Sequence, residues 1–272
     1  MIESIKESRK IRHEGWKRPW SWYDQYICMR ISVYITKLLI HTPITANQVT
    51  LINVFLGILG PVFLFNGFFI TGLLLIHLTV VLDSVDGEIA SYRKKYSMLG
   101  TYIDAVYHTI VNPLMLFGFA YGIYNLFPNK LLLIFGFLSA IFAQSVVVPP
   151  IFDTIVSMKI RGEKPPKIGS KVTGKEVAEY EGQTTKFKNP LLKIYHTLRQ
   201  LWAFPNNLVL LTVLYGWEVA NLKYGFVPPF LTTLVFFVGY GSYVMLNNAI
   251  SFVFHVKKNS IDSFYVFLFG KK

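Results

Sequence analysis

Apolar residues run along this chain in long blocks separated by short polar connections. Residues 51–82, 105–129, 131–152, 200–217 and 224–254 contain no Asp, Glu, Lys or Arg. Each block is near or beyond the ~18 residues that a membrane-crossing helix requires. The pattern predicts six spanning helices near 46–65, 68–92, 98–125, 130–156, 194–221 and 226–256. Ahead of them, residues 20–42 place Ile27, Ile31, Tyr34 and Leu38 on one helical face, with Arg30 and Lys37 at its flank. That stretch is too charged to span and suits a helix lying at the membrane surface. The expected fold is all-α and polytopic, an N-terminal interfacial amphipathic helix plus six transmembrane helices. It forms a single membrane domain over 1–272. Residues 1–45 supply a tail and the interfacial helix, 46–256 the bundle and 257–272 a second tail.

Composition agrees with the blocks. The chain is 53% hydrophobic and only 15% charged, against about a quarter charged for soluble domains. A disordered chain, a disulfide scaffold and a cytosolic enzyme are excluded. The one cysteine, Cys28, forms no intramolecular disulfide. The net charge of +12 invites nucleic acid, but the distribution answers otherwise. Lys and Arg gather in 1–22, 91–97, 157–199 and 255–272, on alternate connections. This positive-inside pattern places both termini and the 157–193 loop in the cytoplasm, in contact with anionic lipid and not with nucleic acid. No cleavable signal peptide is visible in the polar, basic first twenty residues. Ten basic residues across 157–199 border the membrane. Of these Lys193 and Arg199, nearest the fifth span, are candidates to bind an acceptor or a phosphate.

Ionisable groups inside spans are costly and mark function by default. Asp83, Asp86, Gly87 and Ala90 fall on one face of the second predicted span. Gly100, Asp104 and His108 fall on one face of the third, across a short loop. The faces converge, and three carboxylates in one small volume repel. A hard divalent cation, Mg²⁺ or Mn²⁺, relieves that repulsion and completes its shell with water and substrate phosphate. Glycines beside such ligands let a bulky phosphate or nucleotide approach the backbone.

These residues resemble the signature of the CDP-alcohol phosphotransferase family, D-x2-D-G-x2-A-R-x8-G-x3-D-x3-D. The chain has Asp83, Asp86, Gly87, Ala90, Ser91, Gly100, Asp104 and His108 at that spacing, six of eight positions matching. Thr45-Ala46-Asn47-Gln48-Val49-Thr50 is similar to the family's T-P-N-x-x-T opening of its first span. The resemblance implies a membrane enzyme of phospholipid or related lipid-linked synthesis. It implies a CDP-linked donor such as CDP-diacylglycerol, an alcohol acceptor, release of CMP, two metal ions and a homodimer. Asp83, Asp86 and Asp104 match its metal-ligand positions. Asn47, Asp83, Gly87, Ala90 and Gly100 match positions about the nucleotide. His108 stands at the last signature aspartate, which resembles both a metal ligand and the general base, and neutral imidazole serves either role. Ser91 stands where the family has arginine, and Arg93, Lys94 and Lys95 are candidates to replace that charge.

Two other classes fit less of the sequence. An intramembrane prenyltransferase needs a second Asp-rich motif, and a transporter or lapsed scaffold would use the acidic cluster only to carry an ion. Away from the cluster, His77 is expected as a hydrogen-bonded core residue and Glu218 as an interfacial one. Asn206 and Asn207 are expected either to join helices or to line an acceptor cavity.

Overall fold

A computed structural model describes residues 21–95, 97–144, 156, 200 and 202–258. The helices are α1 (Met29–Leu39), entered through a π-helical turn at Asp24–Cys28, α2 (Ala46–Phe65), α3 (Phe69–Tyr92) and α4 (Met98–Leu126). After them come α5 (Lys130–Phe142), α6 (Asn206–Tyr224) and α7 (Leu231–Lys258). No strand occurs among the described residues. Helices α2, α3, α4 and α7 are long and apolar enough to cross a membrane.

Polar residues punctuate the apolar blocks at defined places. Thr45 and Gln48 form a capping box at the start of α2, each side chain accepting the other's backbone N–H. Ser97 Oγ accepts the Gly100 N–H and caps α4. The end of α3 is closed by Lys94 in the left-handed region, at φ 51°. The Lys95 N–H reaches the Ala90 carbonyl and the Lys94 N–H that of Ser91, a Schellman ending that satisfies two orphan acceptors.

Helix α2 packs along both α3 and α4, while α3 and α4 touch each other only sparingly. A Cβ at Gly72 would stand 2.8 Å from the Gly60 carbonyl oxygen, so only glycine lets the α2 and α3 backbones meet there. The two helices bearing the signature thus lean side by side on a third, with a slot between them. Helix α1 lies against α3, and α5 joins α4 to α7. Leu64, Ile76, Met115, Phe119 and Phe237 fill the core.

Buried polar side chains tie the more distant helices. His77, half-buried, bonds Tyr23 Oη at 2.5 Å and Thr212 Oγ1 at 2.8 Å, the hydrogen-bonded role expected of it. Asn207 donates to Asn112 Oδ1 at 2.9 Å, and Asn206 accepts the Tyr23 N–H at 3.2 Å. Both therefore join helices. Glu218, expected at the interface, is instead 1% exposed. Its carboxylate accepts the N–H groups of Phe230 and Thr233 and the Thr233 hydroxyl. It caps α7 from a neighbouring helix.

Two predicted spans differ from the structure. Residues 203–205 form a turn, so α6 begins at Asn206 and not within a helix from 194. Pro205 lacks an amide hydrogen and disfavours helical geometry in the residue before it. Helix α5 ends at Phe142, short of the expected 156, as the chain turns at Ala143–Gln144. There Gln144 Nε2 donates to the His108 carbonyl at 2.7 Å. Residues 1–20 of the expected N-terminal segment, 259–272 of the expected 257–272 tail, the 157–193 loop, Lys193 and Arg199 lie outside the described residues.

Candidate active site

The slot between α3 and α4 contains the predicted cluster. Asp83 and Asp86 lie one helical turn apart on α3, and Asp104 and His108 one turn apart on α4. His108 Nε2 stands 3.3 Å from Asp104 Oδ1 and 3.7 Å from Asp83 Oδ1. One ligand atom from each of Asp83, Asp104 and His108 falls within 4.8 Å of the others. The His108 ring is wedged edge-on between Tyr107 and Phe204, with centroids 4.9 and 5.9 Å away. All three side chains are half-buried.

Asp86 is on the same face but outside this trio. Its Oδ2 accepts the Thr50 hydroxyl of α2 at 2.6 Å, which aims the carboxylate. Gly87 and Ala90 are also half-buried along that face. Asn47 donates to Ser97 Oγ at 3.2 Å. Gly100 faces Asn47 closely enough that a Cβ there would stand 2.7 Å from Asn47 Oδ1. Helix α2 therefore supplies two polar side chains, and the cap of α4 is shared with one of them.

The donor set fits a divalent cation. Adjacent oxygen ligands about 2.1 Å from a metal are roughly 3 Å apart, and opposite ones roughly 4 Å. His108 Nε2 stands within that range of both carboxylates, and the trio as a whole spans no more than 4.8 Å. Asp104 Oδ1 is sealed from solvent and accepts no hydrogen bond among the described residues. Two carboxylate charges at this separation repel by about 3–4 kcal/mol at an effective dielectric near 20. Among the described residues, no Lys or Arg pairs with Asp83, Asp86 or Asp104.

Arg93, a candidate to replace the missing signature arginine, turns elsewhere. Its guanidinium donates to the carbonyls of Ile44 and Thr42 at 2.6 and 2.7 Å, and to those of Leu39 and Ile40 at 3.3 Å. Lys94 and Lys95 are exposed in the turn after α3. Ser91 Oγ is buried without a hydrogen-bond partner among the described residues.

Sequence reasoning missed Ser97 as a partner of Asn47, and it missed Asn53. Asn53 is fully buried one turn beyond Thr50, and neither amide atom has a partner among the described residues. A polar side chain three residues after Thr50 in an otherwise apolar helix was the available signal.

Residues 43–172, just under half of the chain, match the CDP-alcohol phosphatidyltransferase family. Over 102 residues the chain is 31% identical to a Thermococcus kodakarensis protein described as a bifunctional IPC transferase and DIPP synthase. That stretch covers 38% of this chain and 23% of the length of the relative. The likeness to that family thus rests on residues 43–172, the stretch that contains Asp83, Asp86, Asp104 and His108.

Proposed function

We propose that the protein is an integral membrane phosphotransferase that moves a phospho-alcohol group from a CDP-linked donor, such as CDP-diacylglycerol, to an alcohol acceptor and releases CMP. The observation that carries this is the meeting of Asp83, Asp104 and His108 in the slot between α3 and α4, within the stretch that matches the family. Asp83, Asp86 and Asp104 would hold Mg²⁺ or Mn²⁺, which when bound neutralises the donor diphosphate and polarises it for displacement. Two ions are proposed, with His108 as a further ligand position.

The residues of the chain then have distinct tasks. Asn47, Gly87, Ala90 and Gly100 would seat the nucleotide along the α3 face. The acceptor oxygen bonds to the phosphorus that carries the alcohol, and the bridging P–O bond breaks. CMP departs with that electron pair. The acceptor proton would pass to His108, and the Asp104 carboxylate, 3.3 Å from Nε2, would steady the imidazolium once formed. Lys193 and Arg199 would bind a phosphate on the acceptor side.

The proposed setting is a six-span bundle over 46–256 with α1 at the membrane surface. Both termini and the site face the cytoplasm, and two copies form a homodimer. Four helices of spanning length support the membrane setting.

The test uses purified full-length protein, CDP-diacylglycerol, Mg²⁺ or Mn²⁺, and a panel of glycerol phosphate, inositol phosphate and serine. CMP release that needs both metal and acceptor is expected. Asp86→Asn and Asp104→Asn should fold and be inactive. If no pairing releases CMP, and neither CDP nor Mn²⁺ binds, the transferase assignment fails and a scaffold or transporter takes its place.

A further inference from the structure

Helix α3 is gripped from the side away from its acidic face. Glu88 lies five residues after Asp83 and two after Asp86, which at about 100° per residue puts it roughly 140–160° round the helix from either. It is 6% exposed. Ser32 Oγ donates to Glu88 Oε1 at 2.6 Å, and Thr36 Oγ1 donates to Glu88 Oε2. Ser32 and Thr36 are one turn apart on the buried face of α1. Each carboxyl oxygen thus meets one hydroxyl, in a fork that tolerates little rotation. Arg93, just past the last turn of the same helix, holds the carbonyls of Leu39, Ile40, Thr42 and Ile44. These are the end of α1 and the link into α2, where unsatisfied carbonyls favour a cation.

An apolar contact would join α1 to α3 equally well but would let them slide. Buried polar networks fix one geometry, often with little net gain in stability. That matters here because α3 and α4 barely touch, so α4 does little to stop α3 turning about its own axis.

We propose that Glu88 is a positioning residue. Braced by Ser32 and Thr36, it sets the rotation of α3 and so holds Asp83 and Asp86 at the distance from Asp104 and His108 that a divalent cation on a CDP diphosphate requires. The identity of that ligand rests on the function proposed above; the bracing does not. A carboxylate oxygen sits about 6 Å from its helix axis, so a 10° turn of α3 moves it by about 1 Å. Sites of this kind need their ligands held within about 0.5 Å.

The experiment compares Glu88→Ala and Glu88→Gln in the full chain with two readouts. One is Mn²⁺ affinity in the presence of CDP, followed by the EPR signal of free Mn²⁺. The other needs no ligand. It is the distance between spin labels at Tyr92→Cys on α3 and Tyr102→Cys on α4, both exposed, in a Cys28→Ala background. Glutamine keeps one acceptor and adds a donor that a hydroxyl oxygen can accept, so Glu88→Gln should stay near the parent in both. Glu88→Ala should fold, weaken Mn²⁺ binding about tenfold or more, and shift or broaden the label distances by about 2 Å. Folded Glu88→Ala with parental affinity and parental distances overturns the proposal. If the parent binds no Mn²⁺ with CDP, the functional assignment fails, and the label distances alone decide the bracing. If Glu88→Ala does not fold, Ser32→Ala combined with Thr36→Val takes its place in both measurements, and parental values for that variant overturn the proposal in the same way.

Discussion

Replacing Gly100 by alanine puts a methyl group against Asn47, and the consequence can be worked through. The new Cβ would lie 2.7 Å from Asn47 Oδ1, where ordinary contact begins at 3.4 Å. The free protein escapes by swinging the amide about 0.7 Å, a small motion for the tip of a side chain. The Asn47–Ser97 bond, at 3.2 Å, does not survive such a swing, since ~3.6 Å is no longer a hydrogen bond. Bringing Asn47 back into place to meet a nucleotide then costs about 1 kcal/mol for the bond and about 0.5–1.5 kcal/mol for an off-rotamer side chain. The sum, about 1.5–2.5 kcal/mol, is roughly a 10- to 60-fold loss of CDP affinity. Stability should hardly change, because alanine gains up to about 1 kcal/mol over glycine in a helix. Calorimetric titration of CDP with Mg²⁺ into the parent, Gly100→Ala, Asn47→Ala and the double variant separates two causes. If Gly100 matters as the seat of Asn47, adding Gly100→Ala to Asn47→Ala should cost almost nothing more. Full additivity would refute this and would mean that the nucleotide itself packs against Gly100.

Other expectations are briefer. His108→Ala should lose most CMP release yet keep CDP binding, with Asp83, Asp86 and Asp104 still holding one metal, and His108→Asp should keep turnover and tighten Mn²⁺, with a hard anionic ligand restored; CMP release by His108→Ala at the parental rate would make His108 a packing residue. Glu218→Ala strips the cap from α7 and should lower stability by about 2–4 kcal/mol, read as a fall in melting temperature, with Glu218→Gln losing clearly less. An equal loss for the two would show that the hydrogen bonds are not what matters. Cys28 is fully buried, and burial, with Asp24 adding to it, pushes its thiol up to about 12. Maleimide labels the thiolate, so at pH 7.5 Cys28 should stay unlabelled until the protein unfolds; rapid labelling of native protein would contradict the packing of α1.

What could be foreseen depended on where each signal resides. The first three spans fall within a residue of their predicted limits because Thr45, Asn66-Gly67, Ser97 and Phe127-Pro128 break the apolar blocks. The acidic cluster was legible too, since a rigid helix turns a spacing of three or four residues into a shared face. The interruption at residues 203–205 was not, because apolarity passes straight through it and only Pro205 marks the end. The buried face of α1 was hidden for a different reason. Its hydrophobic stripe, Ile31, Tyr34 and Leu38, is the exposed one, while Ser32 and Thr36 face inward beside Met29 and Val33. Arg93 could not be assigned from sequence at all, since its acceptors are main-chain carbonyls, which every residue carries.

The side-by-side lean of α3 and α4 on α2 has a consequence for biosynthesis. The acidic trio, Asp86, Asn47, Thr50, Ser97 and the struts from Ser32, Thr36 and Arg93 all lie between residues 32 and 108 of 272. Their contacts are local in sequence, and such contacts form early and quickly. As the chain leaves the ribosome, α1 to α4 can insert and dock while α6 and α7 are still being made. The slot then exists as a newborn unit, and the arrival of α6, whose approach sets Phe204 against His108 and Asn206 against Tyr23, is the last closing step.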